Sequence, residues 1–334
     1  MKTLADIGER NAIARISKII NTQYDGFSIG DDCAILPMND EYLLISTDMV
    51  AKYTHLSSNM SSWQIGWFLV AVNLSDIAAK GGTPYGLVLA LGLPRDLPVS
   101  SFDELIQGAH DCARAYNTRI LGGDTKESKE MVLTGTVFGA VKKNEFMARK
   151  GARVSDVIAV TGYIGKAAAG MLALEEKIRF EETVLKGLFE PKPRIEAGRI
   201  LAQSGCIHCC MDISDGISTS LYQLQQQNAV GFRIDSSHLP ISLNLQKMFN
   251  KTSDKNMIQY ALQYGGDYEL LCTLSPDDFA FVQSQLEQIS VPFTQIGLVT
   301  KNKEILYQWS GKLSPLFNEG YEHFTSKASN DPIR

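Results

Sequence analysis

Aspartates recur along this chain where apolar runs end beside glycine, serine or threonine. The strings "IGDDCAIL", "ISTDMV", "VNLSDIAAKGG", "ILGGDTKES", "MDISDGIS" and "YGGDYELL" show the pattern. They supply these carboxylates: Asp31, Asp32, Asp48, Asp76, Asp124, Asp212, Asp215 and Asp267. An uncompensated buried carboxylate is costly, so a positive partner has to meet any that lie inside the fold. Carboxylate oxygens are ligands that Mg²⁺ takes, often with substrate phosphates, and the pattern therefore predicts a magnesium and phosphate site.

Asp76 stands out because it lies in a stretch that predicts a buried helix. Residues 61–80 are apolar nearly all round, as a helix inside a fold would be. Asn73 and Asp76 are three residues apart and share a helix face, so we expect this polar stripe to face a site. The alternative is that Asp76 bonds a neighbouring backbone N–H.

"MDISDGIS" (211–218) has a simpler reading as well. Ser214 or Asp215 would be the N-cap of a helix over 215–227, which carries apolar residues at helical spacing. A cap does not account for Asp212. Similarly, the aspartates of "IGDDCAIL" and "ILGGDTKES" are open to interpretation as turn residues.

The elements that would position these residues alternate between strands and helices. Strands are predicted at 42–46, 85–93, 131–141, 156–162 and 268–274. Helices are predicted at 61–80, 101–116 and 215–227. The mixture indicates an α/β or α+β protein. A length of 334 residues favours two domains, and the polar stretch "MARKGARVSD" suggests a boundary that gives domains 1–148 and 149–330.

Composition excludes several classes of protein. The net charge of -5 gives no basic footprint for nucleic acid or for a membrane surface. No apolar stretch approaches the roughly 20 residues that span a bilayer, and the first residues do not form a signal peptide. Six cysteines without a disulfide framework suit a reducing compartment. We therefore expect a cytoplasmic protein.

Familiar catalytic motifs are missing. "VTGYIGKAAAG" lacks the spacing of a Walker A loop, and the sequence holds no Rossmann fingerprint, kinase set or G-x-S-x-G nucleophile. The five histidines are scattered without a partner at suggestive spacing. "CIHCC" (206–210) raises a zinc site as an alternative to small buried thiols, but no second pair of ligands with suitable spacing accompanies it.

Eight ordered motifs resemble those of the thiamine-monophosphate kinases, a family of the aminoimidazole-ribonucleotide-synthetase-like ATP-binding superfamily. The strings, which extend from about residue 7 to 324, are "IGDDCAIL", "ISTDMV", "VNLSDIAAKGGTP", "LGGDT", "VTGYIGKAAAG", "DISDGI", "GGDYELL" and "GYEHF". The resemblance implies an N-terminal α/β domain that dimerises through its sheets and a C-terminal α+β domain. The implied reaction converts ATP and thiamine monophosphate into ADP and thiamine diphosphate.

The resemblance also implies which residues form the site. The metal ligands for several Mg²⁺ ions would be Asp31, Asp48, Asp76, Asp124, Asp212 and Asp215. The nucleotide would lie near Thr47, Tyr116, Gly123, Asp124, Arg149 and Ser214. The substrate positions would be His55, Gly266 and Tyr321. Asp124 and Arg149 would act electrostatically, because an acceptor phosphate with a second pKa of about 6 needs no general base.

This chain departs from the family pattern at some positions. Gly266 stands where the family usually has Glu in "GGEDYEL", which removes a possible substrate contact, and Lys166 stands where Asp is usual. We expect Lys166 to be solvated, with a phosphate contact as the alternative. Two other functions stay open: a selenophosphate or aminoimidazole-ribonucleotide synthetase, or a nucleotide- and Mg²⁺-binding protein without turnover.

Overall fold

Two mixed β-sheets, each covered by helices, form this protein. The structure is a computed structural model that describes residues 2–20, 29–175, 182–249 and 255–324. The sheets have five and seven strands. No helix in these ranges has the length and apolar character needed to cross a membrane.

The N-terminal sheet has the strand order β1-β2-β5-β3-β4. Its strands are β1 (Ala34–Met38), β2 (Glu41–Ala51), β3 (Thr83–Leu93), β4 (Ile120–Glu127) and β5 (Val132–Lys142). Only the β3–β4 pairing is parallel. The helices before and among these strands are α1 (Gly8–Ile20), α2 (Ser62–Ala79) and α3 (Val99–Ala115).

The C-terminal sheet has the order β12-β11-β8-β10-β6-β9-β7. Its strands are β6 (Val157–Thr161), β7 (Ile207–Asp212), β8 (Gly231–Asp235), β9 (Leu270–Leu274), β10 (Phe293–Thr300), β11 (Ile305–Trp309) and β12 (Lys312–Pro315). Its helices are α4 (Lys166–Glu175), α5 (Glu182–Phe189), α6 (Ile195–Ser204), α7 (Ile217–Gln227), α8 (Leu243–Met248), α9 (Lys255–Gln263) and α10 (Pro276–Glu287). The short strands β6 and β9 are buried throughout, which explains their uninterrupted apolar sequences.

Helix α2 is the element that joins the two halves. It packs on β2 and β5 of the first sheet and also on α6 and β7 of the second half. Ser61 caps its N-terminus by accepting a hydrogen bond from the Gln64 N–H, in a capping box. Because both sides of the helix are covered, its sequence is apolar all round, and its few polar side chains face the junction.

The strands and helices predicted from the sequence are confirmed, with ends that move by at most two residues except in β2, which continues five residues beyond its predicted end. The two-domain α/β and α+β class is confirmed as well. The turn interpretation of "GGD" is wrong, because residues 122–124 lie inside β4. The boundary between 148 and 149 lies in the connection between β5 and β6 and stays a prediction.

Candidate functional site

Three carboxylates from distant parts of the sequence meet where α2 passes between the sheets. Asp32 lies just before β1, Asp76 on α2 and Asp212 at the end of β7, and one oxygen of each lies within 4.8 Å of the other two. In the described ranges this is the only group of three or more His, Cys, Asp or Glu side chains that could share one metal ion. The structure therefore brings together these three of the aspartates that the sequence pattern singled out.

Asp76 is surrounded by oxygen atoms. The Ser46 hydroxyl donates a short hydrogen bond to Asp76 Oδ2. Burial and the nearby carboxylates of Asp48, Asp212 and Asp32 raise the pKa of Asp76 well above its usual range. The contact that the structure gives Asp76 is thus a hydroxyl donor rather than the backbone N–H of the alternative interpretation.

Asp48 joins the same cluster from β2. Its backbone N–H donates to Asn73 Oδ1 at 3.1 Å, so Asn73 and Asp76 do face the site together. Burial raises the pKa of Asp48; a hydrogen bond with the Asp76 carboxyl lowers it, and the charge of Asp32 raises it. We call Asp32, Asp48, Asp76 and Asp212 the acidic cluster.

The surroundings of Asp212 and Asp215 also disfavour the charged form of their carboxylates. Ser75 Oγ donates to Asp212 Oδ2 at 2.7 Å, but burial and the charge of Asp32 raise the pKa of Asp212 to about 7. Burial, followed by the charge of Glu9, raises the pKa of Asp215 to about 6. Gly216 occupies the N-cap position of α7 without a side-chain hydrogen bond, so the cap interpretation of this motif is wrong.

Two cations border the acidic cluster. Arg149 Nε donates to Asp32 Oδ1 at 2.8 Å, and its Nη1 donates to the Gly30 carbonyl and to Gln223 Oε1. Lys80 Nζ lies 2.7 Å from Asp32 Oδ2. Burial acts to raise the pKa of Asp32, yet Arg149 and Lys80 together hold it below the usual value.

The resemblance selected Asp31 as the ligand in "GDD", whereas the trio contains its neighbour Asp32. Asp31 Oδ1 is 2.5 Å from Lys80 Nζ, and its Oδ2 accepts the Arg149 N–H at 3.1 Å. Asp31 therefore lies behind Lys80, and Asp32 points into the acidic cluster. Sequence spacing alone does not show which of two adjacent carboxylates enters the cluster, because this depends on the partners that the fold brings to each.

Asp124 lies apart from the acidic cluster. It is exposed on the edge strand β4, opposite Ala90 of β3, and its Oδ1 is 3.4 Å from Lys126 Nζ. Three strand spacings separate β4 from β2, which amounts to about 14 Å. The cross-strand register also places Asp124 on the open face of the sheet, while Asp48 faces α2. The structure therefore does not bring Asp124 to the other predicted ligands within one chain.

The residues predicted for the nucleotide are similarly dispersed. Thr47 lies on the open face, with its hydroxyl 2.9 Å from that of Thr136. Gly123 lines a cleft of about 670 Å³ between α3 and β4, and it must be glycine because a Cβ would lie 1.9 Å from the Leu89 carbonyl oxygen. Tyr116 ends α3 and packs edge-on against Trp67, with ring centroids 6.5 Å apart.

Two of the predicted substrate residues come together beside α1. The rings of His55 and His323 are 5.5 Å apart, and the Tyr321 hydroxyl lies 3.2 Å from His323 Nδ1. Burial and His323 lower the pKa of His55 to about 4, so its imidazole is neutral at pH 7. His323, which the sequence analysis passed over, links the two positions.

A second group of buried carboxylates lies around the third predicted substrate position, Gly266. The Gly266 N–H donates to the Ser214 carbonyl at 2.7 Å. The next residue, Asp267, accepts the backbone N–H groups of Gly165, Lys166 and Ala167 at the start of α4. Asp267 thus stabilises a helix N-terminus and does not join the acidic cluster.

Glu269 completes this second group. Its side chain is 0% exposed and is bound by Lys166 Nζ at 2.6 Å, by Arg194 Nε at 2.5 Å and by the Thr161 hydroxyl at 2.8 Å. Burial acts to raise the pKa of Glu269, but the two cations bring it below the usual value. The expectation that Lys166 is solvated was wrong, because it is one of these two cations. We call Asp267 and Glu269 the neutralised pair.

The cysteine and histidine string does not form a metal site. His208 Nδ1 lies 2.9 Å from Asp156 Oδ2, while Cys209 and Cys210 are buried in two different apolar cores. Cys210 Sγ is 3.3 Å from Cys272 Sγ on the neighbouring strand. Cys209 and Cys210 are thus the small buried thiols expected as the simpler alternative, whereas Cys206 is half-buried.

Known proteins are similar to this chain over most of its length. The families AIR synthase related protein, N-terminal domain and C-terminal domain, match residues 30–141 and 153–309. Thiamine-monophosphate kinase of Methanospirillum hungatei is 34% identical over 82% of this chain and 87% of its own length. Thiamine-monophosphate kinase of Escherichia coli K12 is 31% identical over 96% of this chain and 99% of its own length.

Solved structures resemble the fold closely. The structure described as AaThiL complexed with AMPPCP and TMP has a TM-score of 0.85 and 29% identity, covering 97% of this chain and 99% of that one. The thiamine monophosphate kinase of Aquifex aeolicus has a TM-score of 0.77 and 28% identity, covering 91% of this chain and 97% of its own.

Proposed function

This chain belongs to the AIR synthase related family and, within it, to the thiamine-monophosphate kinases, and from that premise we propose that it transfers a phosphoryl group from ATP to thiamine monophosphate. The observation that carries this proposal is the likeness over nearly the full length of both chains, including a relative bound to AMPPCP and TMP. AMPPCP is an ATP analogue, so that complex supports ATP as the co-substrate of this enzyme.

We propose further that the acidic cluster holds Mg²⁺. Two observations support the fit. Oxygens of one buried and two half-buried carboxylates lie within 4.8 Å of one another, and burial and the neighbouring carboxylates raise the pKa of Asp76. Asp32, Asp48, Asp76 and Asp212 would be ligands, and Asp215 lies on the same side of the fold. When bound, the ions would neutralise these carboxylates and the phosphate oxygens of both substrates.

In the proposed reaction the phosphoryl group passes directly between the two substrates, and the protein forms no covalent bond to it. An oxygen of the thiamine monophosphate phosphate forms a bond to the γ-phosphorus of ATP, the bond from that phosphorus to the β,γ-bridging oxygen breaks, and ADP leaves. The acceptor is already largely ionised at neutral pH, and no proton transfer is needed. Catalysis then depends on positioning two anions and lowering their repulsion. Arg149, with a guanidinium that borders the acidic cluster, would supply part of this charge.

The substrates would approach the acidic cluster from two sides. On one side, His55 and Tyr321 form a neutral aromatic surface that suits the rings of thiamine. The nucleotide would lie towards Thr47, Ser214 and Arg149 on the other. Tyr116 is buried beside Trp67 and Arg194, so we place it near the nucleotide only through the resemblance.

A second copy of the chain would complete the nucleotide site. Asp124 and Gly123 lie about 14 Å from β2, on an exposed edge strand. The open face of the sheet carries Ile45, Phe138 and Val88, which stay half-buried beneath the elements that the structure describes. We propose a homodimer that buries this face and brings Asp124 of one chain to the acidic cluster of the other.

A chelator-controlled product assay tests the proposed function. The purified chain is incubated with ATP, Mg²⁺ and thiamine monophosphate, and thiamine diphosphate and ADP are separated and quantified with and without EDTA. We expect the two products in equal amounts, and none with the chelator. Binding of ATP without either product would contradict the proposal and favour a protein that binds the nucleotide without turnover.

A further inference from the structure

A lysine lies entirely inside the protein, next to the acidic cluster. Lys80 follows α2, and its side chain is 0% exposed. Its Nζ lies 2.5 Å from Asp31 Oδ1 and 2.7 Å from Asp32 Oδ2, and it donates to the Cys210 carbonyl at 2.9 Å. A buried ammonium group persists only where partners such as these compensate its lost hydration.

Both oxygens of Asp32 are engaged by cations. Lys80 contacts Oδ2 and Arg149 contacts Oδ1, while the same carboxylate is a member of the trio that could share a metal ion. A divalent ion that binds Asp32 would therefore share this carboxylate with the ammonium group of Lys80, and the two positive charges would repel each other. Lys80 is thus placed both to hold Asp32 and to oppose the ion.

We propose that Lys80 is a positioning residue that fixes Asp31 and Asp32 before the divalent ion binds and limits the affinity of the acidic cluster for that ion. The proposal rests on the proposed function in one respect, namely that the acidic cluster is the metal site. It explains why a second aspartate, Asp31, lies on the side of Lys80 that faces away from the trio. Asp31 offsets the charge of Lys80 without facing the trio.

Replacing Lys80 by a neutral side chain of similar length tests this. In Lys80→Met the acidic cluster keeps its carboxylates but loses one compensating charge, so we expect its dissociation constant for Mn²⁺ to fall about tenfold or more. The metal-free variant should also unfold at a lower temperature than the wild type, since Asp31 and Asp32 lose their partner. Titration calorimetry with Mn²⁺, on the full chain without nucleotide or substrate, measures the affinity directly.

Lys186→Met is the matched control, because Lys186 is exposed and forms its ion pair with Glu182 of the same helix, away from the acidic cluster. We expect it to leave both the Mn²⁺ affinity and the unfolding temperature unchanged. An unchanged or weaker Mn²⁺ affinity in Lys80→Met would overturn the proposal, because it would show that the charge of Lys80 does not oppose the ion.

A variant that does not fold without metal still gives an answer. If Lys80→Met is unfolded in EDTA, millimolar Mn²⁺ should restore its circular dichroism and raise its unfolding temperature by more than it raises that of the wild type. Failure to fold even at saturating Mn²⁺ would overturn the proposal. Failure of the wild type to form thiamine diphosphate, with the Mn²⁺ result intact, would instead count against the proposed function alone.

Discussion

Two groups of buried carboxylates lie close together in this protein and are treated in opposite ways. The neutralised pair, Asp267 and Glu269, receives three backbone N–H groups, two cations and a hydroxyl. The acidic cluster places four carboxylates together, and its two cations both bind Asp32. The carboxylates of Asp76 and Asp48 are left with the Ser46 hydroxyl and each other.

The contrast distinguishes a buried carboxylate that stabilises the fold from one that is available to bind a cation. A carboxylate that the protein itself neutralises stabilises the fold, because its partners would otherwise be buried unpaired. A carboxylate that the protein leaves partly uncompensated costs stability and is retained for a cation that arrives from solution. Two cations outweigh burial and lower the pKa of Glu269, whereas burial and the neighbouring carboxylates raise the pKa of Asp76.

The largest effect on stability should come from the neutralised pair. Glu269→Gln would leave Lys166 and Arg194 facing an uncharged amide inside the protein. We expect the free energy of unfolding to fall by about 3–5 kcal/mol, measured by urea denaturation. Glu182→Gln, which removes an exposed partner of Lys186, should change it by less than about 0.5 kcal/mol. Equal effects of the two variants would show that the buried ion pairs of Glu269 contribute no more to stability than the exposed pair of Glu182.

The same type of substitution should have the opposite outcome in the acidic cluster. Asp76→Asn removes a charge that burial and three neighbouring carboxylates disfavour, so we expect the metal-free protein to be as stable as the wild type or more so. Mg²⁺-dependent turnover should fall by at least roughly 10²-fold to 10³-fold. Asp267→Asn is the matched comparison, and it should lower stability because an amide oxygen cannot accept all three N–H groups. Retained activity in Asp76→Asn would remove Asp76 from the metal site.

Titration of the metal-free protein should reveal the acidic cluster as a whole. The pKa is raised from 3.8 to about 7 in Asp212 and to about 6 in Asp215, so the folded state binds more protons than the unfolded state between these values. The free energy of unfolding should therefore fall as pH rises from about 4 to 7. His55, with a pKa lowered from 6.5 to about 4, opposes this by one proton.

The net effect still favours a negative slope, because the pKa values of Asp48 and Asp76 are raised too. We expect the free energy of unfolding to fall by about 1.4 kcal/mol per pH unit for each net proton, measured by urea denaturation in EDTA between pH 5 and 7. Saturating Mg²⁺ should remove the slope by favouring the ionised carboxylates. A metal-free protein that becomes more stable with rising pH would show that the acidic cluster is already compensated.

The sequence was sufficient for five strands and three helices, namely β2, β3, β5, β6, β9, α2, α3 and α7. It also indicated that aspartates at the ends of apolar runs gather at a polar site, but it did not select Asp32 over Asp31 for the acidic cluster. It did not separate Asp267 from that cluster, since the N–H groups that neutralise it come from residues 100–102 positions away. It also missed Lys80, which reads as an ordinary polar residue at a helix end. Compensation of charge depends on tertiary contacts, and these are not visible as a local pattern.

The smallest expected effect lies at the border of the two groups, at Gly266. Its backbone has φ +92°, a conformation that side chains rarely adopt, and a Cβ would lie 3.1 Å from that of Ala167. Gly266→Glu should therefore cost about 1 kcal/mol of stability, and Gly266→Ala should cost the same. Only the glutamate adds a negative charge near the cationic thiazolium ring of thiamine, so we expect a lower Michaelis constant for thiamine monophosphate in Gly266→Glu alone. If both variants, or neither, lower that constant, the added carboxylate does not contact the substrate. Position 266 would then affect the stability of the fold and not the binding of thiamine monophosphate.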